Sequence, residues 1–159
     1  MYKTRRTLAL LSCMAGVCLA QTESGKQFYR LDYAVKQVED GKTVNMRHYS
    51  VTTDAGRSVI RTGSKLPLPT NDKGELTYID VGVSIDSSNV HEKDGELLVD
   101  VTAEISNAVA GALKQPVIRQ NKWSANVTVP MGKATTLFSS DDLASKGQVQ
   151  LELTATPVK

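Results

Sequence analysis

Residues 76–106 read LTYIDVGVSID, then SSNVHEKDG, then ELLVDVTAEIS, and the fold of the chain turns on how these three pieces are taken. In the first, Ile79, Val81, Val83 and Ile85 alternate with Tyr78, Asp80, Gly82, Ser84 and Asp86. That is the period of a strand with one dry face and one wet face. The third piece repeats it, with Leu97, Val99, Val101, Ala103 and Ile105 set against Glu96, Leu98, Asp100, Thr102 and Glu104, so that only Leu98 breaks the polar row. The middle piece, residues 87–95, is expected to be a polar loop ending in Asp94 and Gly95. Two such strands form an antiparallel ribbon whose apolar face requires a cover.

The flanking sequence supplies it. Tyr29, Leu31, Tyr33 and Val35 alternate with Arg30, Asp32, Ala34 and Lys36, and Asp40-Gly41 marks a tight hairpin. The return strand, Thr43 to Thr53, carries Val44, Met46 and His48 before its apolar row shifts to Tyr49 and Val51, a shift that suggests a bulge. Val59 and Ile60 begin a short strand that Gly63, Pro67 and Pro69 should curtail or hold at a sheet edge. Residues 70–75 form a polar loop. After Ser106 the small, alanine-rich run to Leu113 is expected to make one or two helical turns before Pro116. Trp123, Ala125, Val127 and Val129 line a further strand, and Met131-Gly132 turns the chain into residues 133–139. Ser139 to Leu143 suits a very short capped helix or a loop, and Val149, Leu151, Leu153 and Ala155 define the last strand. The expected fold is all-β: an antiparallel β-sandwich or curled sheet of about seven or eight strands, with at most one or two short helical turns.

The chain has 159 residues, 40% hydrophobic and 23% charged, which suits one soluble domain. Residues 1–20 stand apart from it. Lys3, Arg5 and Arg6 precede a largely apolar run from Thr7 to Leu19, and Cys18-Leu19-Ala20 carries small residues where a signal peptidase reads them. The expectation is a signal peptide cleaved after Ala20, with residues 21–159 forming a single β-rich domain that is exported and periplasmic or outer-membrane associated. The apolar run is shorter than the roughly 20 residues a membrane-spanning helix needs. Lipidation at Cys13 is the lesser alternative, and Arg5-Arg6 is a weak twin-arginine signal.

Removing that segment leaves 16 basic against 17 acidic residues, so no electrostatic footprint for nucleic acid remains. Both cysteines, Cys13 and Cys18, depart with it. A disulfide, a thiol nucleophile and a cysteine metal site are thereby excluded from the mature domain.

Little in the remaining chain points to chemistry. Of the two histidines, His48 sits at strand spacing with Met46, and His91 lies beside Glu92 and Asp94. Two cannot supply a zinc site or a triad without partners that the sequence does not bring near. Asp86, Glu92 and Asp94, and the pair Asp141-Asp142, read as solvated turn acids, because the spaced Asp and Asn residues of a calcium loop are missing. Asn126-Val127-Thr128 fits a glycosylation acceptor formally but lies mid-strand. Trp123, at strand spacing with three apolar residues, reads as core, although tryptophan also serves as a sugar platform. No catalytic, cofactor, metal or binding residue is assigned.

The order of these segments resembles the C-terminal β-domain of bacterial secretins, the outer-membrane ring proteins of type II and type III secretion and type IV pilus systems. That family places a G-x-x-x-P element before an x-x-G-V-x-L strand, a D-G-x-L-x-V-x-x-E-I-S strand, a P-x-I segment leading into a hairpin, and a closing T-P. Here Gly63 to Pro67, Asp80 to Ile85, Asp94 to Ser106, Pro116 to Arg119, Val127 to Gly132 and Thr156-Pro157 stand in that order, over about residues 57–159. The resemblance implies a short, solitary secretin-like module without the ring-building domains. It implies no enzymatic activity, and a protein partner or self-association through strand edges in the cell envelope. The alternative is a soluble sandwich that binds a carbohydrate or other small ligand through Trp123 and the tyrosines.

Overall fold

The computed structural model describes residues 26–70, 75–111, 116–142 and 147–158. Residues 1–20, where a signal peptide is expected, lie outside them, as do most of the polar loop after Thr70 and Leu143. Eight strands follow one another: β1 (Phe28–Glu39), β2 (Lys42–Thr53), β3 (Ser58–Pro69), β4 (Leu76–Lys93), β5 (Glu96–Val109), β6 (Val117–Pro130), β7 (Thr135–Asp141) and β8 (Gln148–Val158). They make two four-stranded antiparallel sheets with the orders β2-β1-β8-β7 and β3-β4-β5-β6. The chain is therefore an all-β sandwich of eight strands, and no helix occurs among the described residues.

The path is simple. The β1–β2 hairpin crosses at residues 54–57 to the second sheet, where β3 to β6 form a meander. The chain then crosses back at residues 131–134, and β8 pairs with β1 from Phe28↔Val158 to Val38↔Gln148. Both ends of the described chain thus sit in the middle of the first sheet. The inward rows foreseen from the alternation form one core. Leu31, Tyr33, Leu151, Leu153 and Ala155 of the first sheet pack against Val83, Ile85, Leu97, Val99 and Val101 of the second. Across that interface the hydroxyls of Tyr33 and Ser87 hydrogen-bond at 2.7 Å, both residues being only 1% exposed. Burial pushes the Tyr33 phenol up to about 12, against the opposing pull of its bond to Ser87. Tyr29 also titrates high, chiefly through burial and secondarily through Glu92, whose carboxylate accepts its hydroxyl at 3.3 Å.

Three expectations are corrected. Residues 87–93 are not a loop, because β4 continues to Lys93 and the hairpin closes on Asp94-Gly95 alone, both at positive φ. A bulge makes this possible. Ser88 pairs with Asp100 and His91 with Leu98, so Asn89 and Val90 together oppose Val99. Asn89 adopts φ 54°, and the extra residue returns Val90 to the core at 1% exposure. Of the run after Ser106 expected to be helical, residues 107–109 are strand instead, since β5 runs on to Val109 opposite Val117, and residues 112 and 113 lie outside the described residues. A continuous partner strand outweighs the weak helix preference of Ala108 and its small neighbours. Ser139 to Asp141 likewise belongs to β7, not to a short helix.

The expectations for β3 and β2 need a finer correction. β3 reaches a full 12 residues despite its prolines. It lies at a sheet edge, as the prolines require, so amides on its free side have no ladder bond to lose. In β2 the bulge falls earlier than the apolar shift suggests. Gln37 pairs with Asn45 and Val38 with Thr43, which leaves Val44 as the extra residue. From Asn45 to Thr53 the ladder is regular, and Val44 and Met46 stand on the outer face, 55% and 47% exposed.

Candidate functional site: a forked sheet and four open edges

In the second sheet β4 and β5 remain paired only as far as Val83↔Ile105. Beyond that point the β3–β4 hairpin continues to Pro69↔Leu76 and the β5–β6 hairpin to Val109↔Val117, with no pairing between the two. The sheet forks into two ribbons. Their stems carry exposed apolar side chains: Leu76 (51%), Tyr78 (59%) and Val117 (50%).

Three residues build the fork. Gly63 and Gly82 lie directly opposite one another in β3 and β4. A Cβ on Gly63 would stand 2.1 Å from the Val81 carbonyl oxygen, and one on Gly82 would stand 2.2 Å from that of Thr62. Gly82 also has φ +148°, a conformation that L side chains rarely adopt. The third residue is Ser106. Its Oγ accepts the Gly82 N–H at 3.0 Å and donates back to the Gly82 carbonyl at 3.5 Å, so a side chain takes over where the β4–β5 ladder stops. A single residue of β5 thereby ends the ladder without orphaning a buried amide. A shallow depression of about 510 Å³ covers this point, rimmed by Arg61, Lys65, Asp80 and Glu104. Arg61, Lys65 and Asp80 are exposed and Glu104 is half-buried; Lys65 pairs with Asp80 at 3.8 Å, Arg61 with Asp86 at 3.4 Å and Glu104 with Lys122 at 3.9 Å.

Each sheet ends in strands bonded on one side only: β2 and β7 in the first, β3 and β6 in the second. Such edges are open to a further strand. β3 is blunted by Pro67 and Pro69, whereas β2 displays Val44 and Met46 beside its edge.

The residues weighed for chemistry do not converge. His48 is exposed on the outer face of β2, and His91 is exposed on the opposite sheet, its Nδ1 donating to the Asn89 carbonyl at 3.0 Å. Asp86 pairs with Arg57 at 2.6 Å, Glu92 serves Tyr29, and Asp94 occupies its turn. Asp141 ends β7, remote in the fold from the Asp94 turn. Among the described residues no group of three His, Cys, Asp or Glu side chains is placed to hold a metal ion. Asn126 sits in mid-strand opposite Asp100. Trp123 is half-buried against the core, its ring 6.2 Å from that of Phe138, and so seals the side of the sandwich where β6 passes into β7. The fork was not foreseen as a site. Its signal was nonetheless present, since glycines at Gly63 and Gly82 inside strand patterns mark close backbone approach.

The chain resembles secretins in structure as it does in motif order. The type II secretin XcpQ from Pseudomonas aeruginosa superposes with a TM-score of 0.62 at 11% identity, over 87% of this chain and 60% of that one. The GspD secretin of enterotoxigenic Escherichia coli, in its pilotin–secretin complex with AspS, gives 0.57 at 8% identity over 84% and 50%. The secretin domain β-barrel of InvG, from the Salmonella SPI-1 injectisome, gives 0.51 at 9% identity over 84% and 62%. This chain spans less than two thirds of the length of those three secretin chains. No protein-family model and no curated protein matches the sequence.

Proposed function

We propose that the chain is a non-enzymatic component of the cell envelope, exported by the signal in residues 1–20, whose β-domain from residue 21 onward assembles with copies of itself or with another protein of a secretion or pilus system. The observation that supports it most is the secretin fold ending in open strand edges. Edge pairing adds main-chain hydrogen bonds across subunits, and β2, a 12-residue edge strand without proline, has Val44 and Met46 exposed beside its edge. The forked hairpins, apolar on exposed stems, favour a position against a membrane or a neighbouring subunit over free solution. The pilotin bound to the GspD secretin is a precedent for a partner protein, and it belongs to that protein.

Size-exclusion chromatography with light scattering, on the purified chain and on a Val44→Lys/Met46→Lys variant, tests this reading. The expected outcome is a discrete oligomer for the parent and a folded monomer for the variant, because lysine beside an edge strand opposes strand addition. A parent that stays monomeric at all concentrations and retrieves nothing from envelope extract refutes it.

A further inference from the structure

At the forked end the two sheets do not close on one another, and a cleft of about 150 Å³ lies between them. Its floor is apolar. Val35 and Val149 come from the first sheet, and Val83 and Ile105 from the second. Its rim is polar, and it carries Arg47 from β2 and Arg119 from β6. Both arginines occupy strand positions that elsewhere build the core: Arg47 shares the parity of Tyr49 and Val51, and Arg119 that of Trp123 and Val127. The ion pairs seen among the described residues fall on Lys26, Arg30, Lys36, Arg57, Arg61, Lys65 and Lys122, and none of them engages Arg47 or Arg119. Asp142 also lines the cleft, so the described lining residues carry a formal balance of one positive charge.

These features restrict the occupant. A cation is opposed by the net charge. The volume corresponds to roughly five water molecules, room for one side chain but not for a nucleotide or a sugar chain. Guanidinium groups bind carboxylates through charge-assisted and often bidentate hydrogen bonds. The same rim holds Gln37 and Asn45, whose side chains bond each other at 3.0 Å and still leave an amide donor and an amide acceptor free for a peptide backbone. We propose that this cleft binds an extended peptide segment of a partner protein, seating one apolar side chain on the valine floor and holding an adjacent carboxylate with Arg47 and Arg119. This site is independent of edge pairing, so either can fail without the other.

The test is a titration of the purified, ¹⁵N-labelled protein, followed by amide chemical shifts. Three probes are used: the acetylated tetrapeptide Ser-Thr-Ala-Val with a free C-terminal carboxylate, the same peptide amidated, and sodium acetate. The free-carboxylate peptide is expected to shift β2, β5 and β6 signals around the cleft, with a dissociation constant on the order of 1 mM. Amidation, Arg47→Gln and Arg119→Gln should each weaken it about tenfold, the loss of one charge-assisted contact. Both arginines stand on the rim, so the variants keep the dispersed spectrum of the parent. Equal binding of the amidated peptide, equal binding of acetate, insensitivity to the double variant R47Q/R119Q, or no shift at any probe concentration would each overturn the proposal.

Discussion

Replacing Tyr33 by Phe removes one hydroxyl from the contact between the sheets and changes how stability depends on pH. Tyr33 and Ser87 are each 1% exposed and bond at 2.7 Å, so the variant leaves the Ser87 hydroxyl buried without its partner. At neutral pH this should cost about 1–3 kcal/mol. The same burial that makes the bond matter raises the Tyr33 pKa from 10.0 to about 12 in the folded chain. A group raised in this way contributes its full share below pH ~10, and the share is lost as pH climbs toward 12, because the unfolded chain releases the proton first. The loss in the parent is about 1.4 kcal/mol at pH 11 and approaches about 3 kcal/mol above pH 12. The Phe variant lacks this term. Urea unfolding followed by the fluorescence of Trp123, the single tryptophan, should therefore show the parent well ahead at pH 7 and the two chains nearly level by pH 11. A gap that stays constant from pH 7 to pH 11 refutes the reasoning, since it would mean that the phenol ionises in the folded state as easily as in the unfolded one. The double variant Tyr33→Phe/Ser87→Ala supplies the second check, because removing both partners should recover much of the neutral-pH loss.

Two backbone predictions follow from the fork and the bulge. Gly82→Ala should cost about 3 kcal/mol or more, or prevent folding, because strain at φ +148° adds to a Cβ placed 2.2 Å from the Thr62 oxygen. Gly95→Ala should cost only about 1 kcal/mol, since at φ +81° nothing lies within 4 Å, and equal urea midpoints for the two variants would show that the glycine pair is not in close contact. Asn89→Val should lose about 1–2 kcal/mol although the side chain is exposed, because a β-branched residue resists the left-handed φ of 54° that returns Val90 to the core; an unchanged melting temperature would argue against the bulge.

The alternation of apolar and polar residues carried most of the fold. Leu31, Tyr33, Val83, Val99, Leu151 and Leu153 all fill the core that their spacing indicated, and the prolines of β3 lie at an edge as their missing amides demand. The errors cluster where a strand departs from strict period two. Residues 87–93 look like a loop because Ser87, Ser88, Asn89 and His91 are polar. Yet Ser87 faces inward to meet Tyr33, and the extra residue at Asn89 resets the parity for Val90. In β2 the inward row begins with Asn45 and Arg47, which no count of apolar residues would assign to the dry face. Those two positions border the cleft at the end of the sandwich, so the place where the pattern fails is the place where the core gives way to a polar opening.

The likeness to secretins rested on short motifs, and the structure gives several of them a physical reason. Val81-Gly82-Val83 and Glu104-Ile105-Ser106 meet at the fork, with Ile105 the last residue of β5 to pair with β4 and Ser106 bonding Gly82 where pairing ends. Gly63, which opens the G-x-x-x-P element, is the residue that Gly82 must approach without a side chain between them. The core of the sandwich is filled by positions other than Gly63, Gly82 and Ser106, among them Val83, Ile85 and Val101, each at most 5% exposed. The fork positions are required for a sheet that continues past its own core as two separate ribbons, with Leu76, Tyr78 and Val117 left outside. A chain stabilised only by its core would gain nothing from exposing those three residues. Exposed side chains of this kind in one place are the feature by which the forked end differs from the rest of the sandwich, whose inward rows are covered.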